Sequence, residues 1–209
     1  MSLGRIAPII ALIATVGTAV PATAEPRPIA TRDTAVFAGG CFWGVEAVFA
    51  RVKGVVSSTS GYAGGKAMNP KYEEVSTGTT GHAESVQVIY DPSKVSYEQL
   101  LDVFFAVAHD PTELNRQGPD VGTQYRSAIF FRGPAQQAAA QAFIAKLTQA
   151  RRYNHPIVTQ VAPLATFYPA EAYHQGYFDS HPDQSYIVYN DKPKVEALKK
   201  QFSVLYNGR

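Results

Sequence analysis

Ala35-Val36-Phe37-Ala38-Gly39-Gly40-Cys41-Phe42-Trp43-Gly44-Val45-Glu46-Ala47-Val48-Phe49 changes its hydrophobic period partway along. Ala35 to Ala38 is an unbroken apolar run, the pattern of a short buried strand. From Cys41 onward, apolar side chains return at Val45, Val48, Phe49 and Val52. That is i, i+3, i+4, i+7, the spacing of one helix face. Gly39-Gly40 supplies the turn between the two, and Gly54 is a natural helix stop. A β-α unit with a cysteine at its corner is therefore expected.

The rest of the chain extends this pattern. Val55 to Ser60 reads as a strand entering a glycine-rich loop, Gly61-Tyr62-Ala63-Gly64-Gly65. Glu84 to Tyr90 alternates with period two and ends at Asp91-Pro92. Ser96-Tyr97-Glu98-Gln99 is a capping box opening a helix whose apolar face is Leu100, Val103, Phe104 and Val107. His109 to Thr123 is polar and reads as a loop. Arg126 to Arg132 is a strand. Pro134 opens an Ala/Gln-rich helix reaching about Arg151. Ile157 to Leu164 is a further strand, and Val195 to Tyr206 a closing helix. The order β-α-β, β-α, β-α-β, without repeat or linker, predicts one two-layer α+β domain with a mixed sheet packed by helices.

Composition bounds the function. In 209 residues, 45% are hydrophobic and 17% charged, and the net charge is +2. No basic stripe exists, so a nucleic-acid partner is not expected. Arg5, the apolar run Ile6–Val20 and Ala22-Thr23-Ala24 have the layout of a signal peptide cleaved after Ala24. Residues 1–24 are thus expected to direct export, giving a periplasmic protein without stable membrane insertion. Residues 25–34 read as a flexible lead-in and 35–209 as one domain, expected to be monomeric.

Cys41 is the single cysteine. An exported protein that keeps one thiol either buries it inertly or uses it. At a helix N-terminus the backbone N–H groups and the macrodipole favour the thiolate, so a lowered pKa is expected here. Phe42 and Trp43 can wall an apolar pocket beside it or simply fill the core. His82, His109, His155, His174 and His181 show no metal-ligand spacing. His82 and His174 read better as hydrogen-bond donors supporting the site.

Four ordered segments resemble the peptide methionine sulfoxide reductase A family. Gly40-Cys41-Phe42-Trp43-Gly44 resembles its nucleophile motif, and Gly61-Tyr62-Ala63-Gly64-Gly65 its tyrosine loop. Gly81-His82-Ala83-Glu84 resembles the segment carrying its acid. His109-Asp110-Pro111-Thr112 with Arg116 to Ser127 resembles its second active-site loop. The resemblance spans residues 35 to 180 and implies a ferredoxin-like core and no metal or organic cofactor. It implies Cys41 as nucleophile on the sulfoxide sulfur and Glu84 as an acid kept protonated by burial. It also implies Tyr62 and Tyr125 as donors to the sulfoxide oxygen and Asp120 as a positioning carboxylate. Phe42 and Trp43 would hold the substrate methyl group, and the S-epimer of methionine sulfoxide, free or in proteins, would be the substrate.

The chain departs from the family in carrying no further cysteine. A Cys41 sulfenic acid would then be reduced by an external thiol: a thioredoxin-like protein, a glutaredoxin-like protein or a small thiol. Two other readings of the same residues are a cysteine hydrolase pairing Cys41 with a histidine, and a non-catalytic module binding methionine-rich peptides through Phe42 and Trp43.

Overall fold

The computed structural model describes Met1 and residues 31–208. The expected signal peptide lies, apart from Met1, outside the described residues. In chain order the elements are β1 (Asp33–Gly39), α1 (Phe42–Ala50), β2 (Val55–Ala63), α2 (Tyr72–Ser76), β3 (Ala83–Tyr90) and α3 (Tyr97–Val103). There follow β4 (Arg116–Gln117), β5 (Asp120–Val121), β6 (Ser127–Phe131), α4 (Pro134–Gln149), β7 (Gln160–Pro163), β8 (Phe167–Pro169), α5 (Tyr177–Ser180) and α6 (Lys192–Gln201).

Six strands form one sheet in the order β7-β6-β1-β3-β2-β8, and β4 pairs with β5 in a separate hairpin. The central order β6-β1-β3-β2 is antiparallel throughout, while β6 and β7 run parallel. Two β-α-β crossovers, through α1 and through α3, generate that order, the connectivity of a ferredoxin-like core. The sheet is mixed and packed by helices, as the sequence implied.

The apolar run in β1 has a direct cause. Ala35 and Phe37 enter one core cluster with residues of α1, α3, α4 and α6. Val36 and Ala38 enter a second cluster on the opposite face, with Ala63, Ala83, Ala128 and Phe130. Both faces of β1 are covered, so alternation disappears. Phe37 stacks on Phe49 at 5.0 Å and on Phe104 at 4.9 Å, tying β1 to α1 and to the π-helical turn Phe104–Ala108. Burying one such ring is worth about 1.5–3 kcal/mol.

Several boundaries differ from the sequence reading. β1 begins at Asp33, because Asp33 and Thr34 pair with Tyr90 and Ile89. β2 runs through Ala63, so Gly61-Tyr62-Ala63 is strand rather than loop. These residues pair on one side with Ser85, Glu84 and Ala83, and on the other with Pro169, Tyr168 and Phe167. The predicted helix from Leu100 to Val107 becomes α3 followed by the π-turn. Its capping box is present, with Gln99 N–H donating to Ser96 Oγ at 3.1 Å. The closing helix is shifted earlier, to α6. Short elements α2, α5 and β8 went unnoticed, since each is held by partners distant in sequence. Among the described residues no helix is long and apolar enough to cross a membrane.

Candidate active site

Cys41 stands at the corner between β1 and α1, as its flanking residues dictate. Gly40 has φ +85°, and a Cβ there would lie 2.5 Å from the Gln117 side chain. Only glycine makes this turn while letting the Gln117 loop approach. Cys41 is the residue immediately before α1, and it is 7% exposed.

The side chain borders a cavity of about 170 Å³ lined by Cys41, Phe42, Trp43, Tyr72, Glu84, Asp120, Tyr125 and Tyr186. A cavity of that size has room for one small side chain. Larger hollows on the surface, such as the one beside Arg151 and His155, lie away from Cys41.

Phe42 and Trp43 form the apolar walls. Phe42 is buried between Tyr62 and His174, with ring centroids at 5.9 and 4.9 Å. Trp43 stacks on Tyr177 at 3.8 Å and meets the edge of Tyr186 at 6.0 Å. Its Nε1–H donates to His174 Nδ1 at 3.1 Å. An indole can only donate, so His174 accepts here and carries its proton on Nε2. This corrects the expectation that His174 donates. His82 supports the loop after β2: its Nδ1 accepts from Gly65 N–H at 3.1 Å. No histidine lines the cavity, so the dyad that a cysteine hydrolase needs is not formed there.

Glu84 reaches the cavity from β3 and is 3% exposed. Burial pushes its pKa up to about 8, opposed by the Phe42 N–H that donates to Oε2 at 3.0 Å and assisted by Asp120 and Asp191. A neutral carboxyl is thereby available at neutral pH. Asp120 enters from β5 and accepts a hydrogen bond from the Tyr186 hydroxyl. Tyr125 follows on the same loop, and burial, then the charges of Glu84 and Asp120, hold its phenol protonated far into alkaline pH.

Two expectations need correction. Tyr62 does not line the cavity. It lies directly across from Glu84 in the β2–β3 ladder, but it is fully buried and its hydroxyl donates to Glu171 Oε2 at 2.9 Å. In its place Tyr72, at the start of α2, reaches the cavity beside Tyr125. The same Glu171 accepts the Tyr72 backbone N–H at 3.1 Å, so Tyr62 anchors the support on which Tyr72 sits. Tyr186 is the other lining residue that the sequence reading missed. Neither sits in a glycine-rich motif, and each comes from a segment with little periodicity.

The second correction concerns Cys41. Its thiol is pushed well above the ordinary range, chiefly by burial and then by Glu84 and Asp191. The Trp43 N–H and Lys194 pull the other way and are outweighed. The helix N-terminus acts as expected, but desolvation wins.

A cysteine, a neutral carboxyl and phenols around a small apolar cavity form the setting of a thiol-dependent reduction. A family model described as peptide methionine sulfoxide reductase matches residues 33–205. The chain belongs to the peptide methionine sulfoxide reductase family. It is 57% identical over 177 residues to a peptide methionine sulfoxide reductase MsrA 2 of Mesorhizobium japonicum, covering 85% of this chain and 91% of that protein. An MsrA of Natronomonas pharaonis is 50% identical over 84% of this chain and 98% of its own length. Among solved structures, reduced Mxr1 from Saccharomyces cerevisiae superposes with a TM-score of 0.68 at 35% identity, over 76% of this chain and 90% of that one. The methionine sulfoxide reductase A of Corynebacterium diphtheriae gives 0.65 at 39% identity, over 75% and 78%. The reductase family and the ferredoxin-like core thus agree with the four motifs around Cys41.

Proposed function

We propose that this reductase converts methionine-(S)-sulfoxide, in proteins or free, to methionine through a sulfenic acid on Cys41, repairing oxidative damage. The observation that carries this reading is the meeting of Cys41, the neutral Glu84 carboxyl, Tyr72 and Tyr125 in one cavity walled by Phe42 and Trp43. The apolar walls take the substrate methyl group, worth about 0.8 kcal/mol for the buried carbon. Tyr72 and Tyr125 donate to the sulfoxide oxygen, steadying the charge that develops on it. Asp120, tied to Tyr186, positions that network.

The atoms balance as follows. The Cys41 sulfur attacks the sulfoxide sulfur, and Glu84 gives its proton to the oxygen. Glu84, now a carboxylate, recovers a proton from the thiol. The protonated oxygen then moves from the methionine sulfur to the Cys41 sulfur as the transient S–S bond breaks, leaving Cys41–SOH and reduced methionine. These 209 residues hold no second cysteine, so no internal disulfide resolves the sulfenic acid. An external thiol, from a thioredoxin-like or glutaredoxin-like protein or a small molecule, attacks it and releases water. A second thiol equivalent then frees Cys41. We further propose that residues 1–24 direct export, which places that reductant outside the cytoplasm; sequencing the mature N-terminus checks the cleavage.

The test is a single turnover on racemic methionine sulfoxide without reductant, followed by a dimedone-type trap. Labelling of Cys41 in step with methionine release, and consumption stopping at half the racemate when thiol is supplied, are the expected results. Methionine release with no label on Cys41 would overturn the sulfenic acid route.

The tyrosines give a sharper comparison. Tyr72→Phe removes a donor to the oxygen and is expected to lower kcat by about 10²-fold, the scale of one lost oxyanion donor. Tyr62→Phe removes only the bond to Glu171 and is expected to cost about 1 kcal/mol of stability with kcat changed less than about threefold. Steady-state kinetics and thermal unfolding of the two variants decide it, and equal kcat losses would return Tyr62 to the reacting centre.

A further inference from the structure

Asp191 stands outside the cavity lining, and the reaction above draws on it only for its part in keeping Glu84 protonated. It closes the π-turn Ile187–Asp191, which leads from Tyr186 on the cavity wall into α6. Its side chain is 0% exposed. Oδ1 accepts from Lys194 Nζ at 3.2 Å, and Oδ2 meets no hydrogen-bond partner among the described residues. Burying a carboxyl with half its acceptors idle is costly, so the pair is not there for stability alone.

The carboxyl is pressed against the first turn of α1. A methyl group on Gly44 would come within 2.1 Å of Asp191 Oδ1 and 3.0 Å of Lys194 Nζ, so only glycine admits the pair. Gly44 lies one helical turn from Cys41. Asp191 therefore occupies the positive field of the same helix N-terminus that would otherwise favour a Cys41 thiolate. The titratable groups facing Cys41 are Glu84 from β3, Asp120 from β5, Lys194 from α6, Asp191, and the phenols of Tyr72, Tyr125 and Tyr186. Glu84 holds its proton near neutral pH, and the Tyr186 hydroxyl engages Asp120. Asp191 is the carboxylate pressed on the helix that Cys41 begins; burial raises its pKa and Lys194 opposes that rise.

We propose that Asp191, anchored by Lys194, is a positioning residue that acts through Cys41, holding the resting cysteine as a thiol and shielding it from electrophiles until substrate is bound. The proposal rests on Cys41 being the nucleophile. It gives the lone cysteine a guard that turnover lifts: the thiol gives up its proton only after Glu84 has passed its own to the sulfoxide oxygen.

Alkylation of Cys41 by iodoacetamide, measured across pH on the full chain without substrate, tests it. Asp191→Asn is expected to move the profile about one unit toward lower pH, making alkylation near neutral pH about tenfold faster. Lys194→Met removes a cation that itself lowers the Cys41 thiol, and is expected to move the profile the other way as a control of opposite sign. An Asp191→Asn profile superimposable on that of wild type overturns the proposal, whatever the Lys194→Met profile does. If Asp191→Asn does not fold, Asp191→Ser is alkylated in its place, a shift to lower pH supporting the proposal and coincidence with wild type overturning it. The dimedone experiment stands apart: shifted alkylation profiles with no sulfenic acid after turnover would remove the nucleophile reading and leave the Asp191–Cys41 coupling intact.

Discussion

Cys41→Ser is expected to reduce sulfoxide turnover by about 10⁴-fold or more, the scale on which covalent mechanisms lose their nucleophile. A serine hydroxyl has neither the nucleophilicity nor the soft sulfur that accepts oxygen from a sulfoxide. The fold should survive. Cys41 is small, 7% exposed, and next to the Trp43 N–H, which can donate to a hydroxyl as it does to the sulfur. Its replacement is expected to cost about 1 kcal/mol of stability. The assay is reduction of racemic methionine sulfoxide with dithiothreitol, beside binding of a methionine-rich peptide. Loss of turnover with peptide binding retained supports catalysis by Cys41. Unchanged turnover would sink it. Peptide binding by a wild type that reduces nothing would favour the non-catalytic module instead.

Glu84→Gln is the second large effect. The amide keeps the shape and can still accept the Phe42 N–H, but it has no proton to give. Loss of a general acid typically costs 10²–10⁴-fold, and a drop of about that size in kcat/KM is expected. The pH dependence adds a sign. The Glu84 pKa of about 8 means the acid is loaded at neutral pH and emptied as pH rises through about 8. Wild-type kcat/KM should fall across that range, and Glu84→Gln should not follow it. Stability carries the same signature. Between the ordinary carboxyl range and about pH 8 the folded state keeps a proton that the unfolded chain has lost. The burial of neutral Glu84 is therefore fully favourable at low pH, and its contribution is lost as pH rises through about 8. Glu84→Gln removes this decline. Denaturant midpoints of both proteins across pH measure it. Parallel curves would mean that Glu84 is ionised in the folded state.

Much of the site was legible because its residues sit in local patterns. Cys41 lies where a buried strand run meets a helical period, and that corner survives intact in β1 and α1. Glu84 opens an alternating strand, and Asp120 and Tyr125 lie in one turn-rich loop. Tyr72 was not legible. The segment after Gly65 is polar, α2 is only five residues long, and it is held by a hydrogen bond to Glu171, 99 residues away. Tyr62 drew attention by its glycine-rich surroundings, yet those glycines belong to a strand paired on both edges. Tyr186 was hidden in the same way, just before a π-turn and tied to Asp120, 66 residues away.

By itself, the sequence determined the β-α order, the two-layer class and the single cysteine on which the proposed chemistry rests. Each follows from neighbours within a few residues or from composition. Tertiary structure alone decided that Tyr72 replaces Tyr62 at the cavity and that His174 accepts from Trp43. It alone decided that Cys41 rests as a thiol although it stands at a helix N-terminus. The physical reason is common to all three. Cavity membership, hydrogen-bond roles and protonation are sums over burial and charge from residues such as Glu84, Glu171, Asp191 and Lys194, which no local period brings together.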